Sequence, residues 1–198
     1  MYRICLGLLL IIAGFYVKAT EPVHDGLVKL RISNFKDDKA GAVSYTFDDG
    51  LRNQYLIAAP IMEKLQIPGT FFIIPGQVSA TLQEAEAKKP GAWGGVTWDE
   101  IRTLVAKGFE IGNHGYNHKN LVTQVKEPEE LENEIENSAD IIRRETGIFP
   151  VSFCYPYNSF NEQVGKIVER RHMVAVFFSK VLEPGIPRQR ILINGWIN

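Results

Sequence analysis

From Gly41 onward, short apolar runs alternate with stretches of helical periodicity, and this alternation restricts the fold more than any other feature of the chain. The runs cover 42–47, 70–74, 109–112, 151–155, 173–178 and 190–194, each the length of a buried strand rather than a helix. The intervening segments carry helix signals. Pro60 suits a first helical turn and precedes Ile61, Met62 and Leu65. Thr97 and Glu100 have capping-box spacing ahead of Ile101, Leu104 and Val105. Pro128 opens a third helix with an acidic first turn, an apolar stripe of Leu131, Ile135, Ala139 and Ile142, and an exit at Gly147. A fourth helix covers about 161–171. Strands alternating with helices predict an α/β fold with a parallel sheet, open or closed into a barrel. In such folds chemistry gathers where strands end and loops begin.

The rest of the chain sets bounds. A length of 198 residues fits one domain with a core of useful size. A net charge of −1 gives no electrostatic case for a nucleic-acid partner. Near the N-terminus, Arg3 precedes an apolar run from Ile4 to Val17, and Val17-Lys18-Ala19 resembles a small-residue cleavage site. The run falls short of the roughly 20 residues that a bilayer-spanning helix needs. Residues 1–19 are therefore expected to be a signal peptide, not a stable membrane anchor, with export to the periplasm or the extracellular space. Residues 20–40 read as a polar N-terminal extension with one candidate strand at 27–32, and 41–198 as the domain carrying the motifs. Without the signal, 20 basic residues face 23 acidic ones, and only Cys154 remains of two cysteines. A single cysteine cannot form an intramolecular disulfide.

Three motifs stand at the ends of apolar runs. Thr46-Phe47-Asp48-Asp49-Gly50 places two adjacent carboxylates after the first. Neighbouring strand residues point to opposite sides, but Gly50 permits a bend that turns both acids toward one cavity. One acid could bind a metal while the other takes a proton; the plainer alternative is an Asx turn. His114-Gly115-Tyr116-Asn117-His118 has metal-ligand spacing, and Gly115 and Asn117 favour a loop over a helix. Its plainer alternative is a pair of surface histidines. The third motif is Cys154-Tyr155-Pro156-Tyr157. Two imidazoles and one carboxylate make a three-ligand site with an open position, as in catalytic zinc. Such a site makes hydroxide near neutral pH. The remaining acid, Asp48 or Asp49, is then the general base, and the chemistry is hydrolysis.

The motifs, their order and spacing, and Thr70-Phe71-Phe72 after the first helix resemble the polysaccharide deacetylase family, carbohydrate esterase family 4, from about Gly41 to the end. The resemblance implies a distorted (β/α) barrel, incomplete at its C-terminus, and a polysaccharide deacetylase-like catalytic domain over 41–198. It implies removal of N- or O-linked acetyl groups from a carbohydrate polymer or oligosaccharide. It implies one divalent metal, usually zinc with cobalt or nickel as substitutes, held by Asp49, His114 and His118. It makes Asp48 the base and the backbone N–H of Tyr157 an oxyanion donor, while Pro156 has no N–H to donate. Trp93, Tyr116 and Tyr155 are the expected sugar contacts, with Trp98 and Phe160 as further aromatics near the motifs.

Two departures from the family pattern bear on activity. The third motif usually begins with an Arg that orients the catalytic Asp, and Cys154 stands there. A thiol lacks the charge and paired donors of a guanidinium. Phe153 to Tyr157 is closer to a subgroup with an aromatic-x-Tyr-Pro-Tyr motif. That similarity points to Arg188 or Arg190, in Pro187-Arg188-Gln189-Arg190, as the support of Asp48, against a plain solvated basic surface. In addition, no histidine follows Met173, so the family's late Leu-x-His general acid has no counterpart. His172, beside Arg170 and Arg171 at a helix end, reads as structural. Two other readings stand beside the deacetylase. One is a non-catalytic or weakly active glycan-binding relative; the other is a metal-dependent amidohydrolase acting on small C–N substrates.

Overall fold

The computed structural model describes residues 43–88, 94–179 and 188–193, with side chains over 43–88 and 94–176. The expected signal peptide, the polar extension with its candidate strand, and Trp93 lie outside the described residues. Six strands form one sheet in sequence order: β1 (Thr46–Phe47), β2 (Thr70–Ile73), β3 (Glu110–Asn113), β4 (Ser152–Cys154), β5 (Val174–Ser179) and β6 (Arg188–Ile193). The first five are parallel and curl into half a barrel with helices outside it. The sixth runs antiparallel to β5, from Val174 opposite Ile193 to Ser179 opposite Arg188. Strand–helix alternation predicts parallel order throughout. Only 180–187 joins β5 to β6, however, and a parallel crossover needs about a dozen residues or more.

The first helix begins earlier than Pro60 implies. Residues 52 and 53 are already helical, Gln54–Ala58 form a π-helical turn, and α1 (Ala59–Lys64) continues it. Pro60 has no N–H to give to the preceding turn, and the widened π turn accommodates that loss. The buried face of α1 is Ala59 and Met62; Ile61 and Leu65, expected on the apolar side, are exposed. After α2 (Leu82–Lys88), α3 (Trp98–Ala106) opens on the expected capping box. Thr97 Oγ1 accepts from Glu100 N at 3.2 Å, and Glu100 Oε2 accepts from Thr97 N at 2.9 Å. The next helix, α4 (Pro128–Glu132), runs through a second π-helical segment, Asn133–Asn137, into α5 (Ser138–Thr146). It ends on left-handed Gly147 at φ 79°. Asn161 caps α6 (Glu162–Arg171), its side chain accepting from Val164 N at 2.9 Å.

Two apolar clusters hold these helices against the sheet. Phe71, Ile73 and Ile111 pack with Met62, Ile101, Leu104 and Ile142. Phe153 and Ala175 pack with Leu131, Ile135, Val164, Ile167 and Val168. Each buried large apolar side chain contributes about 1.5–3 kcal/mol, so the helix side of the sheet is fully committed to packing. Phe72, Cys154 and Val176 alternate with these residues along their strands and form a small cluster on the opposite face. The loops at the C-terminal strand ends are left to build a site.

Candidate active site

The turn after β1 carries both acids. The bend expected at Gly50 starts one residue sooner: φ is 72° at Asp49 and 57° at Gly50. Aspartate is one of the few non-glycine residues that accept the left-handed region. Gln54, on the π turn, donates from Nε2 to Asp48 O at 2.5 Å and holds this corner in place.

The histidines occupy a loop, as their neighbours imply. β3 ends at Asn113, His114 N donates to Ile73 O at 2.9 Å, and no helix follows through residue 120. His114 is buried, and its Nδ1 lies 2.8 Å from Cys154 O. A carbonyl can only accept, so Nδ1 carries the proton and Nε2 of the neutral ring keeps its lone pair. That Nε2 is 3.5 Å from Asp49 Oδ1, and His118 Nε2 is 3.3 Å from the same oxygen. Two ligands about 2.0–2.1 Å from a tetrahedral ion stand about 3.4 Å apart, so the donor set fits zinc. A lone pair facing a carboxylate oxygen needs a proton or a cation between them. Burial first, then the neighbouring His114, lowers the proton affinity of His118 and favours its neutral, ligating form. Asp49 is held below the usual carboxylate range, chiefly by a hydrogen bond from His114, against the opposing effect of burial. In that state a proton occupies the place a cation would take.

Asp48 has the opposite environment. Burial raises its pKa, and the nearby Asp49 charge adds to the rise; His114, His118 and a hydrogen bond from Cys154 work against it. Cys154 is 1% exposed, and burial followed by the charge of Asp48 pushes its thiol upward, which keeps it a proton donor. Asp48 Oδ1 is buried with no hydrogen-bond partner among the described residues, and the Cys154 thiol lies within 4.8 Å of a carboxylate oxygen of Asp48. Cys154 thus contacts both halves of the site: its carbonyl orients His114, and its thiol meets the second acid. Arg188 and Arg190 lie on β6, and their side chains are outside the described residues.

The loop after β4 carries Tyr157 and Asn158 at left-handed φ values of 56° and 55°. The Tyr157 ring is 64% exposed and lies 4.6 Å, centroid to centroid, from His118. Tyr155 does not join it. Two residues beyond Phe153, it faces the helix side of the sheet, is 4% exposed, and stacks on Phe160 with centroids 5.0 Å apart. Burial pushes its phenol up to about 12. The expectation of Tyr155 as a sugar contact is therefore corrected: it is a core residue. Trp98 likewise packs partly buried against the first core cluster. Tyr116 is half-buried, and its carbonyl accepts from Gly76 N at 2.9 Å. A cleft of about 380 Å³ opens beside Asp49, lined also by Leu51, Gly76, Gln77, Lys88, Gly94 and Gly95.

Behind the histidine loop stand residues not anticipated from the motifs. Glu134 is fully buried and accepts from Asn117 N and Asn117 Nδ2, each at 2.8 Å. Asn113 Nδ2 donates to Ile135 O at 2.9 Å and lies 3.2 Å from His172 Nε2. His172 is buried, and burial lowers its pKa to about 4, so it is neutral at pH 7. The spacing of Leu131, Glu134, Ile135 and Ser138 along one helix stripe is the signal that could have exposed Glu134 as buried.

A parallel half-barrel with an Asp–His–His cluster at its strand ends, and a second acid beside it, is an α/β scaffold that carries a candidate metal site. The polysaccharide deacetylase family model matches residues 35–176, and the chain belongs to that family. It is 24% identical to the peptidoglycan-N-acetylglucosamine deacetylase PgdA of Listeria monocytogenes, over 63% of this chain and 23% of that one. Among solved structures it is similar to a polysaccharide deacetylase from Bacillus cereus, with a TM-score of 0.58, 21% identity, and coverage of 77% of this chain and 42% of that one. It is also similar to a pseudoenzyme of carbohydrate esterase family 4 from Bacillus anthracis, with a TM-score of 0.52, 20% identity, and coverage of 68% and 42%. The chain spans between 5% and 38% of the length of the curated relatives it matches. No helix among the described residues is long and apolar enough to cross a membrane.

Proposed function

We propose that this chain is an exported, metal-dependent carbohydrate deacetylase that hydrolyses N- or O-linked acetyl groups. The observation that carries the reading is the convergence of His114 Nε2 and His118 Nε2 on Asp49 Oδ1, at 3.5 and 3.3 Å, with the unpartnered Asp48 Oδ1 buried nearby. Asp49, His114 and His118 would hold a zinc ion, which would supply Lewis acidity toward an acetyl carbonyl and water. Asp48 takes the proton of the attacking water, and its raised proton affinity suits a base working nearer neutral pH. The thiol of Cys154, beside Asp48, lowers its proton affinity and so limits the rise that burial produces. The backbone N–H of Tyr157 is assigned to the developing oxyanion, and its exposed ring beside His118 offers a face to a sugar. The proton that Asp48 has taken is available to the departing oxygen or nitrogen of the sugar. An alcohol leaves more readily than an amine, so O-acetyl esters are the better substrates. Export is supported by the apolar N-terminal run and by PgdA, whose named substrate, peptidoglycan, lies outside the cytoplasmic membrane.

One observation favours a second reading, a weakly active or non-catalytic glycan-binding relative: Cys154 stands where the family pattern has an Arg. The Bacillus anthracis structures include both a pseudoenzyme and a mutant with restored activity, so the family contains chains of that kind. Acetate release from acetylxylan and acetylated chitooligosaccharides by zinc-loaded protein decides between them. Asp48→Asn should lower turnover by about 10²–10⁴-fold. Retained glycan binding with no acetate release selects the second reading.

A further inference from the structure

We infer that Glu134 is a positioning residue of the metal site, clamping the loop that carries both histidines. The inference rests on the reading of Asp49, His114 and His118 as metal ligands. Glu134 sits on the π-helical segment Asn133–Asn137 and is 0% exposed. Its Oε2 accepts from Asn117 N and its Oε1 from Asn117 Nδ2, both at 2.8 Å, and its backbone O accepts from Tyr116 N at 3.0 Å. One residue therefore satisfies three donors from the two positions immediately before His118. The π turn contributes directly, because its displaced carbonyls are open to partners outside the helix. The same segment grips the start of the loop, where Asn113 Nδ2 donates to Ile135 O at 2.9 Å and Asn113 Oδ1 accepts from Gly115 N at 3.0 Å. A buried carboxylate on the stripe it shares with Leu131, Ile135 and Ser138 costs stability that a leucine would not. What this one secures is geometry: His118 sits at φ 59°, a strained value for a residue with a side chain, and the clamp ends one residue before it.

The test compares the full chain with Glu134→Gln and Asn117→Ala, reading zinc affinity by competition with a chromophoric chelator and the visible spectrum of the cobalt-loaded protein. Glu134→Gln keeps the shape but replaces one acceptor by a donor. It should weaken zinc binding by about 10–100-fold and alter the cobalt bands. Asn117→Ala removes the bond from Asn117 Nδ2 to Glu134 Oε1 but keeps the backbone bond to Oε2, and should shift both readouts in the same direction by less. Zinc affinities and cobalt spectra unchanged in the variants overturn the inference and leave the site reading intact. If Glu134→Gln does not fold, Asn117→Ala decides alone. Failure of the wild-type chain to bind zinc or cobalt overturns the site reading, and the inference with it.

Discussion

Asp48 and Asp49 are adjacent in sequence and opposite in electrostatics. Burial leads at Asp48 and raises its proton affinity, while a hydrogen bond from His114 leads at Asp49 and lowers it. Two acids pushed apart in this way suit the proposed division into a proton acceptor and a metal ligand. The acid limb of kcat/KM against pH should therefore lie above the ordinary aspartate range. The Cys154 hydrogen bond lowers the pKa of Asp48, so Cys154→Ala should move that limb still higher; a limb that stays in place would show that the thiol has no part in tuning the base. His172 gives a stability prediction. Its folded pKa is about 4 against an unfolded 6.5, so between these values the unfolded chain binds the extra proton. Its contribution is present above pH 6.5 and is lost as pH falls toward 4, by up to roughly 3 kcal/mol. Melting curves of wild type and His172→Gln across that window should converge at the acid end.

At the scale of elements, loops and the strands beneath them explain what was legible. Asp48, Asp49, His114 and His118 stand out in sequence because paired acids and paired imidazoles at strand ends are uncommon unless chemistry requires them. Glu134 does not, because a glutamate in a helix ordinarily reads as a solvated charge; only its register with Leu131 and Ser138 marks it as buried. Tyr155 misleads by its closeness to the motif, although the two-residue period from Phe153 already turns it to the helix side. The π turn before α1 is illegible for another reason: Pro60 reads as a helix start, and nothing local signals that the chain widens its helix to keep it. Gly76 links two elements of the site. A Cβ there would stand 2.5 Å from Tyr116 O, so Gly76→Ala must push the histidine loop or its own strand end aside. The expected cost is about 1–3 kcal/mol of stability, with weaker zinc binding, measured by thermal melting and metal titration. An unperturbed zinc affinity would mean that the loop absorbs the shift without moving its histidines.

For the whole molecule, the site ties together the ends of β1, β3 and β4. Asp49 follows β1, both histidines follow β3, and His114 is bonded to the end of β4. A metal joining the first two should therefore act as a crosslink. At a hundredfold excess over Kd, zinc should stabilise the fold by about 2.7 kcal/mol, a rise in melting temperature of about 5–10 °C for a chain this size, and a chelator should reverse it. The bond from His114 to β4 ends on a peptide carbonyl, which any amino acid at position 154 supplies. The side chain of that residue can then be exchanged without altering which nitrogen of His114 carries the proton. In the proposed site, metal capture would then depend on the backbone of residue 154 and proton transfer on its side chain. A lineage could lose the power to hydrolyse while still gripping metal and sugar, and regain it by one substitution.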